Sequence, residues 1–221
     1  MGMIVAKKMK ISVFCGASVD GFIARRDDTL DFLDTPGAGP HGYTEFFNTI
    51  DVVVIGRRTF DVVRKIADFT FYAKKLVVVL SSGHLDLSSI KEAKVEQMSG
   101  TPEEIVAKLE KRGLKHAYVD GGVTIQKFLS AGLVDTMTVT RVPVLIGEGV
   151  PLFGPVPQDI RLSHVKTKAF PGGLVQSVYE VGTKTDATSA KRKRAATKGR
   201  KTAAKKQPAK RARGTRAKRR G

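Results

Sequence analysis

Short apolar runs rich in β-branched residues, several of them closed by a glycine- or serine-bearing loop, constrain this chain more than any other feature. Residues 11–17, 52–55, 76–80, 95–98 and 116–119 read as strands, most of them buried. Between them lie stretches with helical spacing, at 43–50, 57–65, 102–112 and 123–131. Thr101, Pro102, Glu103 and Glu104 make a strong helix start: a hydroxyl cap, proline at the first helical position, and acids in the first turn. Gly113 and Gly132 stop the last two helices. A longer, partly alternating run follows at 134–142, then a Gly/Pro-rich stretch at 143–157. Residues 161–169 and 174–181 read as a closing antiparallel hairpin around Pro171, Gly172 and Gly173. Strands alternating with helices, then two strands together, predict an α/β layered domain with a mainly parallel sheet and an antiparallel edge. Residues 25–42, crowded with Asp, Gly and Pro, read as a long exposed loop of the kind that often carries function.

Charge divides the chain. Of 39 Lys and Arg residues, 17 fall in 184–221, against one of the 21 acids, Asp186. That segment carries +16 of the net +18, and residues 1–183 carry +2. Large apolar residues vanish from residue 182 onward, so we expect a folded domain over 1–183 and a disordered Lys/Arg-rich tail over 184–221. Such a polycation binds DNA or RNA by counterion release, without reading sequence. It has no aromatic side chain for base stacking. It resembles the tails of linker-histone-like proteins, and it also reads as a solubilising extension. Residues 191–194 fit a nuclear import patch in a host with a nucleus.

Cys15 is the single cysteine, which excludes an intrachain disulfide, and the four histidines are too scattered for a zinc site. The apolar runs are too short for a signal-peptide core or a membrane span. A soluble, cytoplasmic protein is expected, associated with nucleic acid if the tail acts as described.

Four loops follow predicted strands, at 16–21, 56–60, 81–83 and 120–124, and each contains glycine. In an open α/β sheet, ligands collect beyond the carboxyl ends of the strands. Glycine lets backbone approach a ligand, and free N–H groups at a helix start attract phosphate. Arg57 and Arg58 add cationic donors, and Ser81 and Ser82 add hydroxyls. The set points to a phosphorylated nucleotide. Neither a Walker loop nor a G-x-G-x-x-G follows the first strand, which disfavours ATP chemistry and an ordinary Rossmann domain.

Five stretches together resemble the reductase half of the bifunctional riboflavin-biosynthesis deaminase/reductase and its stand-alone dihydrofolate-reductase-like relatives. They are residues 18–24 (SVDGFIA), 51–60 (DVVVIGRRTF), 76–82 (LVVVLSS), 119–122 (VDGG) and 143–153 (PVLIGEGVPLF). The resemblance implies a three-layer dihydrofolate-reductase-like fold, NADPH as hydride donor, and a homodimer. It also implies activity like that of 5-amino-6-(5-phosphoribosylamino)uracil reductase, on a pyrimidine- or pterin-like heterocycle. By the same resemblance, Gly56, Arg57, Arg58 and Thr59 lie under the cofactor pyrophosphate, and Ser81 and Ser82 near the adenosine 2′-phosphate. Gly121, Gly122, Val123 and Thr124 wrap the phosphates and the nicotinamide side. Gly147 and Gly149 close near the nicotinamide or the subunit contact, and Cys15, Gly16 and Ala17 floor the site. No deaminase domain or zinc-deaminase signature stands in the chain.

For the substrate side the candidates are Asp20, Asp31 and Glu45, carboxyls able to hold a heterocycle or pass a proton through water. Each has a plainer reading: a turn residue for Asp20, a solvated carboxylate for Asp31, and a dipole-complementing or solvated one for Glu45. His41 reads as a solvated loop side chain, and Cys15 as a small pocket-lining residue without nucleophilic character. Two functions stay open: a reductase, or a catalytically silent reductase-like fold brought to nucleic acid by its tail.

Overall fold

The computed structural model describes residues 9–34, 39–66 and 69–182, so the expected tail at 184–221 lies outside the described residues. The elements are β1 (Lys10–Ser18), β2 (Phe22–Ala24), α1 (Tyr43–Thr49), β3 (Val52–Gly56), α2 (Arg57–Ile66), β4 (Leu76–Leu80) and β5 (Lys94–Met98). There follow α3 (Pro102–Lys111), β6 (His116–Asp120), α4 (Gly122–Ala131), β7 (Thr136–Val142), β8 (Val150–Pro151), β9 (Leu162–Ala169) and β10 (Val175–Val181).

Eight strands form one sheet in the order β5-β4-β3-β6-β1-β7-β10-β9. The first six run parallel, and β10 pairs antiparallel with both β7 and β9. The unbroken apolar runs of β3 and β4 are explained by burial on both faces. Val52, Val54, Leu76 and Val78 pack with Ile105 and Leu109 of α3 and Ile125 and Phe128 of α4. Their neighbours Val53, Ile55, Val77 and Val79 share a second core with Phe47 of α1 and Phe60 of α2. The result is helix, sheet and helix in three layers, the expected dihydrofolate-reductase-like α/β architecture with its antiparallel C-terminal hairpin.

The expected cap forms: the Thr101 hydroxyl accepts from Glu104 N at 3.3 Å, and the Glu104 carboxylate accepts from Thr101 N at 3.0 Å. Two details differ from the sequence reading. Residues 25–34 are not simply an exposed loop. They include a 3-10 turn at Asp31–Leu33 that buries Phe32 against Val142 and Leu174. In addition, β2 pairs antiparallel with β8, out of the Gly/Pro-rich stretch, as a separate two-stranded ribbon.

Candidate functional site

A cavity of about 1080 Å³ opens over the carboxyl ends of the six parallel strands. One end of it is built for anions. Helix α2 starts at Arg57 immediately after β3, and α4 starts one residue after Gly121, with no side-chain cap. The first N–H groups of a helix have no partner within it. Here they come with Arg57, Arg58, Thr59 and Lys127 on the cavity wall, beside Ser81 and Ser82.

Two glycines are required by this geometry. Gly121 has φ +91°, and a Cβ there would run into the Thr59 hydroxyl. A Cβ on Gly122 would lie 2.6 Å from the Pro151 carbonyl oxygen. Glycine at both positions lets this loop pack closely against Thr59 and the Pro151 backbone, which fixes the start of α4 at the cavity wall.

Both arginines already have carboxylate partners, Arg58 Nε with Asp28 at 2.7 Å and Arg57 Nε with Asp61 at 2.9 Å. Both pairs are exposed. Such pairs contribute only about 0–1 kcal/mol, so a phosphate group can displace them.

The other end is aromatic and half-buried. The Phe14 ring stacks on Phe46 at 5.1 Å, and Tyr43 meets Phe14 edge-on at 5.3 Å. Tyr118 donates its hydroxyl to the Phe14 carbonyl at 2.9 Å. Asp120, at the last position of β6, accepts from the Gly121 N–H at 2.8 Å. Burial holds its carboxyl above the ordinary value, only partly offset by Gly121 N–H and the Tyr118 side chain. Burial, reinforced by Asp120, also pushes up the Cys15 thiol and takes the Tyr72 phenol to about 12. Burial likewise raises the Tyr43 and Tyr118 phenols. On this floor burial favours the neutral forms of Asp120, Cys15, Tyr43 and Tyr118, whose side chains lie on the cavity wall. Cys15 has no thiolate character.

Most of the expected cofactor residues meet here: Cys15, Gly16, Gly56, Arg57, Arg58, Thr59, Ser81, Ser82, Gly121, Gly122, Val123 and Thr124 all line the cavity. Ala17 does not; it is 2% exposed within the core on the α3/α4 face of the sheet. Gly147 and Gly149 also lie off the wall. Gly147 N donates to Asp20 at 2.7 Å, and Gly149 packs against the Ala24 carbonyl.

The three substrate-side acids lie outside the cavity wall. Asp20 clasps the 146–147 backbone, and its carboxyl is lowered first by the Ser18 hydroxyl and then by the Gly147 and Ile146 N–H groups. Arg25 binds Asp31 at 2.6 Å and holds its carboxyl low. Glu45 is exposed on α1. His41, read as a solvated loop side chain, is half-exposed and lines the cavity, with its ring 4.1 Å from that of Phe170.

Sequence reasoning did not single out Asp120, Tyr118, Tyr43 and Phe14 for the site. The signal available for Asp120 was an acid ending an apolar strand directly before Gly-Gly. For the three aromatics there was none, because rings in apolar runs look like any other core residues.

A family model described as the RibD C-terminal domain matches residues 9–176. The uncharacterized protein YyaP of Bacillus subtilis (strain 168) is 30% identical over 188 residues, covering 78% of this chain and 95% of its own length. Among solved structures, a protein from Shewanella sp. PV-4 named "Putative riboflavin biosynthesis protein" superposes with TM-score 0.74 at 35% identity, covering 79% of this chain and 99% of that one. Dihydrofolate reductase from Enterococcus faecalis shares the fold at TM-score 0.53 and 16% identity, over 79% of this chain and 95% of its own. With the parallel sheet, the cavity over its carboxyl ends and the Gly121-Gly122 loop in place, the chain belongs to the RibD C-terminal domain family.

Proposed function

We propose that this chain is an NADPH-dependent reductase of a nitrogen heterocycle of the pyrimidine or pterin kind. One observation carries the reading: a single cavity joins an end lined by Arg57, Arg58 and Lys127, on α2 and α4, to a floor around Asp120, whose carboxyl is held above its ordinary value by burial. Gly56, Gly121 and Gly122 allow the close packing that sets the starts of α2 and α4 at the cavity wall, where Arg57, Arg58, Lys127, Ser81 and Ser82 also stand. These residues fit a dinucleotide phosphate chain. The cavity volume, about 1080 Å³, leaves room for a second ring system beside it. NADPH, when bound, supplies the hydride.

The chain's own part is to hold the accepting ring against the Phe14 and Tyr118 wall and to exclude water. Asp120 offers a carboxyl whose proton is retained above the ordinary range, a proton it can share with a ring nitrogen. The Shewanella protein's riboflavin-biosynthesis name and the dihydrofolate reductase fold support the same direction. We further propose that the chain forms a homodimer and that residues 184–221 contact nucleic acid.

Titration of the full chain with NADPH and with NADH, read by cofactor emission, tests the central claim. Binding with a clear preference for NADPH supports it. Failure of both cofactors to bind overturns it.

A further inference from the structure

The two ends of the cavity differ in charge as well as in shape. Among the described residues, the positively charged wall side chains Arg57, Arg58 and Lys127 all stand on α2 and α4. The opposite end is walled by Phe14, Leu30, Leu33, Tyr43, Val142 and Leu174, and by His41, whose Nε2 already accepts from Gly39 N at 3.0 Å. Two cations of neighbouring segments are engaged elsewhere and do not line it. Arg25 is paired with Asp31, and the Lys168 ammonium sits 4.7 Å over the Phe170 ring. The Tyr43 N–H, at the start of α1, is taken by the Pro40 carbonyl at 2.6 Å.

A phosphate or carboxylate bound away from water needs charge-assisted donors, and Arg or Lys usually supplies them. Without them the desolvation of the anion is uncompensated. A flat uncharged ring suits the aromatic wall and still finds hydrogen-bonding edges in Asp120, Thr140 and the Tyr43 hydroxyl.

We propose that this cavity takes an uncharged, planar heterocycle bearing neither phosphate nor carboxylate, unlike the phosphoribosyl substrate that the family resemblance implies. The inference rests on the reductase reading for its second ligand, NADPH, but not for its test.

Riboflavin and FMN present one ring system with and without a phosphate, and both are fluorescent. Each is titrated into the full chain, with and without NADPH, at high ionic strength to screen contacts with the cationic residues 184–221. Riboflavin is expected to bind at least about tenfold more tightly than FMN. Leu30→Arg, which places a cation on the uncharged wall, is expected to narrow or reverse that difference. FMN binding as tightly as riboflavin to the unaltered chain overturns the inference. So does a chain that binds NADPH but shows no affinity for riboflavin. A preference for riboflavin without any NADPH binding overturns the reductase reading instead and leaves the ligand class standing.

Discussion

Asp120 concentrates the conflict between stability and function at the scale of a residue. Its carboxyl is raised by burial, so the folded chain keeps a proton that the unfolded chain has already lost. Between the ordinary carboxylate value and the raised one, the native state binds more protons, and stability falls as pH rises through that window. Asp120→Asn removes the ionisable group while retaining an oxygen for the Gly121 N–H. The variant should therefore melt higher than the parent at neutral pH, with the gain shrinking as pH falls toward about 4, the ordinary carboxylate range. Thermal denaturation at the two pH values reads this directly, and reductase turnover should fall in the same variant. Arg58 is the complementary case. Its exposed pair with Asp28 is weak, so under the proposed function a cofactor phosphate would exchange one anion for another there. Arg58→Ala should weaken NADPH by about 1.5 kcal/mol, the low end for a charge-assisted bond, roughly a tenfold rise in Kd. An unchanged Kd would remove Arg58 from the phosphate site.

Elements were more legible than residues. Helix α3 is the clearest instance: Thr101, Pro102 and Glu104 announced its start, and the reciprocal cap is present. Thr101→Ala should cost about 1 kcal/mol in urea denaturation, the usual effect of losing a hydroxyl cap, without changing NADPH affinity. The strands of the sheet could be read because burial on both faces leaves only apolar side chains possible at 52–55 and 76–80. By contrast, β8 has two residues and no local pattern, and its pairing with β2 depends on a partner some 130 positions away. Phe32 misled for the same reason: what buries it is Val142 and Leu174, not its Asp-rich neighbours. The candidate site divides likewise. Its glycine- and arginine-bearing loops are local features and were found. Asp120, Tyr118 and Phe14 act together only because β6 and β1 run side by side, and no sequence window contains both. Asp20 and Asp31 looked available because their partners, the 146–147 backbone and Arg25, could not be seen in sequence.

At the scale of the whole molecule, two of the proposed associations draw on different physics. Strand β9 closes the sheet with all eight residues exposed, including Val165 at 52%. An unpaired edge of this kind is a template for a second chain. Val165→Lys should weaken a dimer built there, read as a shift toward monomer in sedimentation velocity. The cationic segment acts through charge instead. Residues 1–183 carry +2 and residues 184–221 carry +16, so almost all attraction for a polyanion belongs to the second segment. Binding to duplex DNA should be independent of sequence and should weaken with salt, with a slope of about −0.9 in log K per phosphate neutralised. A chain ending at residue 183 should lose this binding and keep the NADPH affinity of the full chain, since the residues proposed to hold the cofactor all lie before it. Loss of both affinities together would mean that the two segments cooperate in one site. Persistence of DNA binding in the shortened chain would move the nucleic-acid contact onto the folded domain, where a charge of +2 gives little electrostatic reason for it.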